Sequence, residues 1–169
     1  MDLQGSFHVY DTTLRDGAQQ EGLNLSVADK LTIARQLDDL GVGYIEGGWP
    51  GANPKDTEFF RRAALELDLK HAKLAAFGST RRAGLKAADD PMIAALRDSG
   101  APVVTLVAKS HDRHVELALR TTLEENLAMV RDTVAHLTAE GQTVFLDADR
   151  KSTRQNSSHQ VQSRMPSSA

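Results

Sequence analysis

The sequence predicts an α/β fold of parallel strands joined by right-handed crossovers, read as about the first five β/α units of a (β/α)8 TIM barrel. Three observations predict it. Short apolar, strand-like segments alternate with amphipathic, helix-like segments from Phe7 to Leu146, the pattern of a parallel sheet. Each strand-like segment then gives way to polar residues or glycine. Finally, chemically loaded residues follow strand after strand, with Arg15 and Asp16 after the first, Glu46 ending the second, and Ser79, Thr80 and Arg81 after the third. A barrel gathers its active site in this way, at the carboxyl ends of its strands. Alternation by itself would also suit a small doubly wound sheet, whereas a closed barrel needs eight strands and about 250 residues.

Each element carries its own signal. Phe7 to Leu14 (FHVYDTTL) has the β-branched and aromatic residues of a strand and stops at Arg15-Asp16-Gly17. Ser26 with Asp29 is a variant capping box, and Val27, Leu31, Ala34, Leu37 and Leu40 keep helical spacing up to Gly41. Val42 to Glu46 is a second short strand, followed by Gly47-Gly48-Trp49-Pro50-Gly51. Asn53 and Pro54 suit an N-cap and a first helical position, opening a helix that runs to about Leu67. A strand at Lys73 to Phe77, a helix near Pro91 to Asp98 and a strand at Val103 to Val107 repeat the unit. After a loop at Lys109 to His114, a long helix lines up Leu119, Leu123, Leu127, Val130, Val134 and Leu137, and Thr143 to Leu146 is the fifth strand.

Composition bounds the function classes. The 169 residues are 40% hydrophobic and 25% charged, as in an ordinary globular domain. No apolar run approaches the roughly 20 residues needed to span a bilayer, and Met1 to Gly5 lacks a secretory signal, so a cytoplasmic protein without a membrane partner is expected. With no cysteine, a metal would have to sit among oxygen and nitrogen ligands. The formal charge of -3 hides a basic end, because Arg150, Lys151, Arg154 and Arg164 stand in a stretch without an acid. The body is therefore acidic, which argues against nucleic acid as a partner. Residues 1–148 are expected to form the partial barrel, and 149–169 a polar tail that is disordered or foreign. That tail resembles the translated read-through of a cloning adapter, which would end the native sequence near Ala148.

The strongest motif is Leu14-Arg15-Asp16-Gly17-Ala18-Gln19 with Lys30 downstream. It resembles the signature of the isopropylmalate, homocitrate and citramalate synthases, metal-dependent barrel enzymes that make or break carbon–carbon bonds beside an acyl thioester. The Asp, Arg and Glu for which such enzymes are named stand here as Asp16, Arg15 and Glu46. YIEGGWPGANPKDTEFF (Tyr44 to Phe60) and KLAAFGSTRR (Lys73 to Arg82) resemble one citramalate synthase branch, and Ala18 stands where isopropylmalate synthases usually carry glutamate. The resemblance covers Phe7 to Ala148.

It implies condensation of acetyl-CoA with pyruvate at a divalent metal (Mg, Mn or Zn), to give citramalate. The alternatives are isopropylmalate synthesis or a related lyase reaction and, from another class, a small non-catalytic α/β binding domain with a disordered tail. The resemblance makes Asp16 a metal ligand, as a hard oxygen at a strand end would suit. Arg15, charged at every relevant pH, is expected beside the alkoxide that forms from the keto oxygen. Both can serve one site only if the backbone turns at Gly17. Glu46 is expected near Arg15, orienting it or relaying protons, against the plain alternative of a surface carboxylate. Gln19 is expected to face the substrate, unless it only bonds its own loop. Phe77 would line an apolar pocket for the pyruvate methyl, or merely fill the barrel. His114 falls where the family places a substrate-facing histidine. Arg81-Arg82 is read as a solvated loop rather than a coenzyme A phosphate site. The sequence departs from the family in one respect: its HxH metal pair is absent, since His8, His71, His111, His114, His136 and His159 are never so spaced. Later strands and a downstream domain would supply the rest, so the chain alone is expected to be inactive, and a homodimer is expected when the chain is full length.

Overall fold

The computed structural model describes residues 8–149. It holds five parallel strands, β1 (Tyr10–Asp11), β2 (Tyr44–Gly48), β3 (Lys73–Ser79), β4 (Val103–Lys109) and β5 (Thr143–Asp149). They lie in the order β1-β2-β3-β4-β5. That sequential order separates the two architectures left open by alternation, because a doubly wound sheet reverses its strand order at a switch point. Curvature confirms the barrel. Neighbouring strands are about 4.8 Å apart, so in a flat sheet β1 and β5 would be far from contact. Instead the rings of Tyr10 and Phe145 stand 6.1 Å apart, and those of Tyr44 and Phe145 5.1 Å. Tyr10 also reaches across to Thr105 on β4, 2.6 Å away. The five strands are a half-barrel with these aromatic rings inside it.

Helices α1 (Val27–Asp39), α2 (Pro54–Glu66), α3 (Pro91–Asp98) and α5 (Leu123–Ala139) follow the strands, with a single turn α4 (Asp112–His114) ahead of the last. Their starts are chemically determined. The Ser26 hydroxyl accepts from the Asp29 N–H at 3.2 Å while the Asp29 carboxylate accepts from the Ser26 N–H at 2.8 Å, completing the capping box. Asn53 caps α2 ahead of Pro54, accepting from the Lys55 N–H at 3.0 Å. The end of α1 is stitched to β3 by Asp38, buried and accepting from the N–H groups of Lys70, His71 and Ala72. The core between helices and sheet holds Leu14, Leu31, Ile45, Phe59, Ile93, Leu96 and Leu106, all fully buried. Among the described residues no helix is long and apolar enough to cross a membrane.

Three sequence expectations are corrected. The first strand pairs only at Tyr10 and Asp11, not from Phe7 to Leu14; Phe7 lies outside the described residues. The Asp11 carboxylate accepts from the Thr13 N–H at 2.9 Å and folds the chain away from the sheet, so that Leu14 drops into the core. The long helix starts at Leu123, because Arg120 takes a left-handed conformation (φ 52°) and Thr122 caps the next turn. Its buried stripe is Asn126, Met129, Thr133 and Leu137, while Leu123 and Leu127 are exposed. Polar ties set that rotation: Asn126 donates to the Lys109 carbonyl at 3.0 Å, and Thr133 accepts from the Arg81 N–H at 2.9 Å. Finally, strands two to five run two to three residues past their expected ends.

The turn after β2 explains its paired glycines. Register slips between Glu46 and Gly48, a bulge at Gly47 that aims its carbonyl at Lys30 Nζ, 2.8 Å away. A Cβ on Gly47 would collide with Phe59, and one on Gly48, at φ 141°, with the Asp56 carboxylate. Lys30 and Asp56 form a buried ion pair at 2.5 Å, and the other Asp56 oxygen accepts from the Trp49 N–H at 2.9 Å. Breaking a buried pair leaves an uncompensated charge. We therefore expect Asp56→Ala to cost about 3–5 kcal/mol in urea unfolding. Lys30→Met combined with Asp56→Asn, whose amide keeps an acceptor for Trp49, should cost less than Asp56→Ala alone.

Candidate active site at the carboxyl ends of the strands

Arg15 sits in the turn that leaves β1. The turn is closed by the N–H groups of Arg15 and Gly17, both donating to the Thr12 carbonyl at 3.1 Å. The reversal that brings Arg15 and Asp16 side by side thus starts at Asp11 to Thr13 and continues through the 3-10 turn at Gly17–Gln19, so the expected turn at Gly17 is present but begins earlier. Arg15 Nε donates to Glu46 Oε2 at 2.6 Å, and Nη1 lies 3.4 Å from Asp16 Oδ1. The guanidinium carbon stands 4.1 Å from the centroid of the Phe77 ring, a cation–π contact. Trp49 meets the same ring edge-on at 5.4 Å.

Glu46 is 1% exposed, so it is no surface carboxylate. A charge removed from water persists only when paired and hydrogen-bonded. Arg15 supplies the charge, and the Tyr10 hydroxyl donates to Glu46 Oε1 at 2.8 Å. Burial pushes the Tyr10 phenol well above its ordinary value; the bond to Thr105 offsets part of this, and the Glu46 charge and hydrogen bond add to it. Tyr10 and Thr105 went unnoticed in the sequence, where a tyrosine and a threonine in strands signal only strand propensity.

The other expected residues divide. Asp16, with its side chain 56% exposed, presents a hard oxygen donor beside Arg15. Among the described residues no three acidic or histidine side chains converge on a metal position, so these residues do not by themselves make a metal site. Gln19 lies in the short 3-10 turn after Asp16, exposed, along a small cleft with Arg15, Asn24 and Lys55. Phe77 is buried beneath Arg15. His114 is on α4, where its ring lies 5.2 Å from that of His111 and its Nδ1 is buried without a hydrogen-bond partner. No contact of His114 with the Arg15–Glu46 pair is present among the described residues. Arg81 is not in a solvated loop: it is buried, donating to Glu125 Oε1 and Asp132 Oδ2 at 2.7 Å each, and it clamps the end of β3 to α5. Arg82 is exposed and braces Asp90, the cap of α3.

Residues 6–164 match the HMGL-like family. The chain is 74% identical over 148 residues to an (R)-citramalate synthase of Streptomyces coelicolor, covering 88% of this chain and 28% of that protein. It is 53% identical over 142 residues to an (R)-citramalate synthase of Aquifex aeolicus, covering 84% of this chain and 27% of that protein. A 2-isopropylmalate synthase of Listeria innocua is 32% identical over 127 residues, covering 75% of this chain and 24% of that protein. The chain thus spans about a quarter of the length of the curated relatives it matches. Among solved structures it resembles the HMG-CoA lyase of Bacillus subtilis (TM-score 0.63, 16% identity), over 82% of this chain and 45% of that one. The hydroxymethylglutaryl-CoA lyase of Pseudomonas aeruginosa gives a TM-score of 0.62 at 20% identity, over 82% and 44%. These likenesses carry the fold, a TIM barrel of which five β/α units are described here.

The raised phenol yields a test of the buried network. A group whose value is higher folded than unfolded contributes fully below its unfolded value, about 10 for tyrosine. That contribution is lost as pH climbs beyond this point. Unfolding free energy is therefore expected to fall above about pH 10, and to fall less steeply in Tyr10→Phe, as measured by urea titrations across that range.

Proposed function

The chain belongs to the HMGL-like family, and from that premise we propose that it forms the Arg15–Asp16–Glu46 part of an active site that condenses acetyl-CoA with pyruvate to give citramalate. The observation that carries the proposal is the Arg15 guanidinium, held at the strand ends by a buried Glu46 with an open carboxylate, Asp16, beside it. The identity gap supports pyruvate as the 2-oxo acid: 74% and 53% to two citramalate synthases against 32% to an isopropylmalate synthase. The enzyme would act in the cytoplasm in branched-chain amino-acid synthesis, as a homodimer when full length.

The geometry supports the following chemistry. A base outside residues 8–149 takes a proton from the acetyl methyl group, and the resulting carbon attacks the keto carbon of pyruvate. The new carbon–carbon bond forms as the keto π-bond breaks onto oxygen, and the negative charge appears beside Arg15. Because Nε is held by Glu46, the oxygen meets the Nη groups, fixed before the charge develops. Protonation gives the tertiary alcohol, and water then cleaves the thioester to release coenzyme A thiol. A divalent cation, Mg, Mn or Zn, would supply Lewis acidity toward the keto acid, with Asp16 as one ligand and the remaining ligands beyond the described residues.

The test uses a full-length synthase carrying residues 8–149, with free thiol release followed over a panel of 2-oxo acids. Pyruvate should be favoured at least about tenfold over 2-oxoisovalerate, whose two extra methyl groups change the fit to the site. Arg15→Ala should lower kcat by about 10²–10³-fold, and Asp16→Asn should lower it together with metal affinity. Undiminished turnover in Arg15→Ala would remove the basis of the proposal.

A further inference from the structure

We propose that Trp49, which the motif and the reaction above leave without a task, is a positioning residue that sets the plane of the Arg15 guanidinium through the ring of Phe77. The inference rests on the reading of Arg15 as the group that meets the keto oxygen. A guanidinium is planar, and where its donors point depends on the orientation of that plane. The bond from Nε to Glu46 Oε2, 2.6 Å long, pins one edge. Rotation about that bond is checked weakly by the exposed Asp16 carboxylate, 3.4 Å from Nη1, and chiefly by a surface against the face of the group. Phe77 provides it, with the guanidinium carbon 4.1 Å from the ring centroid.

The Phe77 ring needs a stop of its own, since it can turn about its bond to Cβ. Trp49 is that stop, packed edge-on at 5.4 Å with an interplanar angle of 82°. Trp49 is in turn anchored at its backbone, where its N–H donates to Asp56 Oδ2 at 2.9 Å. Asp56 is fixed by Lys30 at 2.5 Å. The lysine that completes the sequence motif thus reaches Arg15 by contacts alone, through Asp56, Trp49 and Phe77. The indole also carries a cost that a plain filler would avoid: its Nε1 is buried with no hydrogen-bond partner among the described groups. Phenylalanine or leucine would occupy the space without an unpaired donor. What tryptophan adds is a broad, rigid ring packed at nearly a right angle to Phe77.

Kinetics in a full-length synthase carrying residues 8–149, normalised to folded enzyme, decide the matter. Trp49→Leu is expected to lower kcat for thiol release by about 10–100-fold, as a misplaced catalytic group does, with KM for pyruvate changed less than about threefold. Trp49→Phe, which keeps a smaller aromatic edge, should lose only about three- to tenfold. The decisive comparison is in the Arg15→Lys background, where no guanidinium rests on Phe77. There each Trp49 substitution should cost less than about threefold. An equal loss in both backgrounds, or an unchanged kcat per folded molecule, overturns the proposal. If Trp49→Leu fails to fold, Trp49→Phe decides by the same comparison. Should Arg15→Ala retain full activity, the reading of the site itself fails; should Arg15→Ala be inactive while Trp49→Leu is unimpaired, only the role of Trp49 fails.

Discussion

The contact on which the rest of the site depends is the 2.6 Å bond from Arg15 to Glu46. Taking a carboxylate out of water costs several kcal/mol even after relaxation, and a single removed partner leaves that cost uncompensated. Glu46 therefore dictates its surroundings. It requires a cation, which fixes the position of Arg15, and it requires a neutral donor on its second oxygen, which fixes Tyr10. The phenol in turn ties to Thr105 on β4, so one carboxylate joins the turn after β1 to strands β1, β2 and β4. A guanidinium held from within in this way would meet a ligand without having to reorganise.

Outside this inner network lies a second buried ion pair that sets the frame. Lys30 on α1 and Asp56 on α2 meet at the Gly47 carbonyl, and they hold the bulge where β2 ends. The glycines at 47 and 48 are consequences of that pair and of Phe59, since neither position has room for a side chain. Helix packing, bulge and aromatic stack are thus linked mechanically. Arg81 plays the corresponding part at the end of β3, its charge spent on Glu125 and Asp132 in fastening α5. Neither cation is free for a phosphate.

Much of this was legible in the sequence, where the local rule and the tertiary demand agree. The capping box at Ser26, the Asn53-Pro54 start and the alternation of strands with helices follow from chain-local chemistry, and the structure keeps them. The motif around Arg15 was legible through its resemblance to the synthase signature, and the structure puts Arg15 in contact with Asp16 and Glu46. What escaped were contacts between residues far apart in sequence. Tyr10 and Thr105 are 95 positions apart, and nothing local marks either as part of a polar network. The misplaced stripe of α5 has the same origin. Leu123, Leu127, Val130 and Val134 make a regular apolar row, yet the helix turns Asn126 and Thr133 inward because the ends of β3 and β4 present backbone groups that need partners. Satisfying those groups outweighed burying two leucines.

That rotation has a further meaning. It leaves Leu127 63% exposed on α5, and Leu146 on β5 is 50% exposed. In a closed barrel the next strand pairs with β5 and the next helix packs on α5, covering such a row. An apolar helix face beside an edge strand is unfavourable in water by itself. Under the proposed function the site points the same way, because Asp16 would offer one hard ligand where a divalent cation takes several. Packing, and chemistry under the proposed function, would therefore be served by the same complement: a surface of further β/α units that buries the α5 row and brings donors opposite Asp16. The half-barrel described here spans 45% of a solved barrel to which it is similar, which leaves room for both demands to be met by one continuation of the sheet.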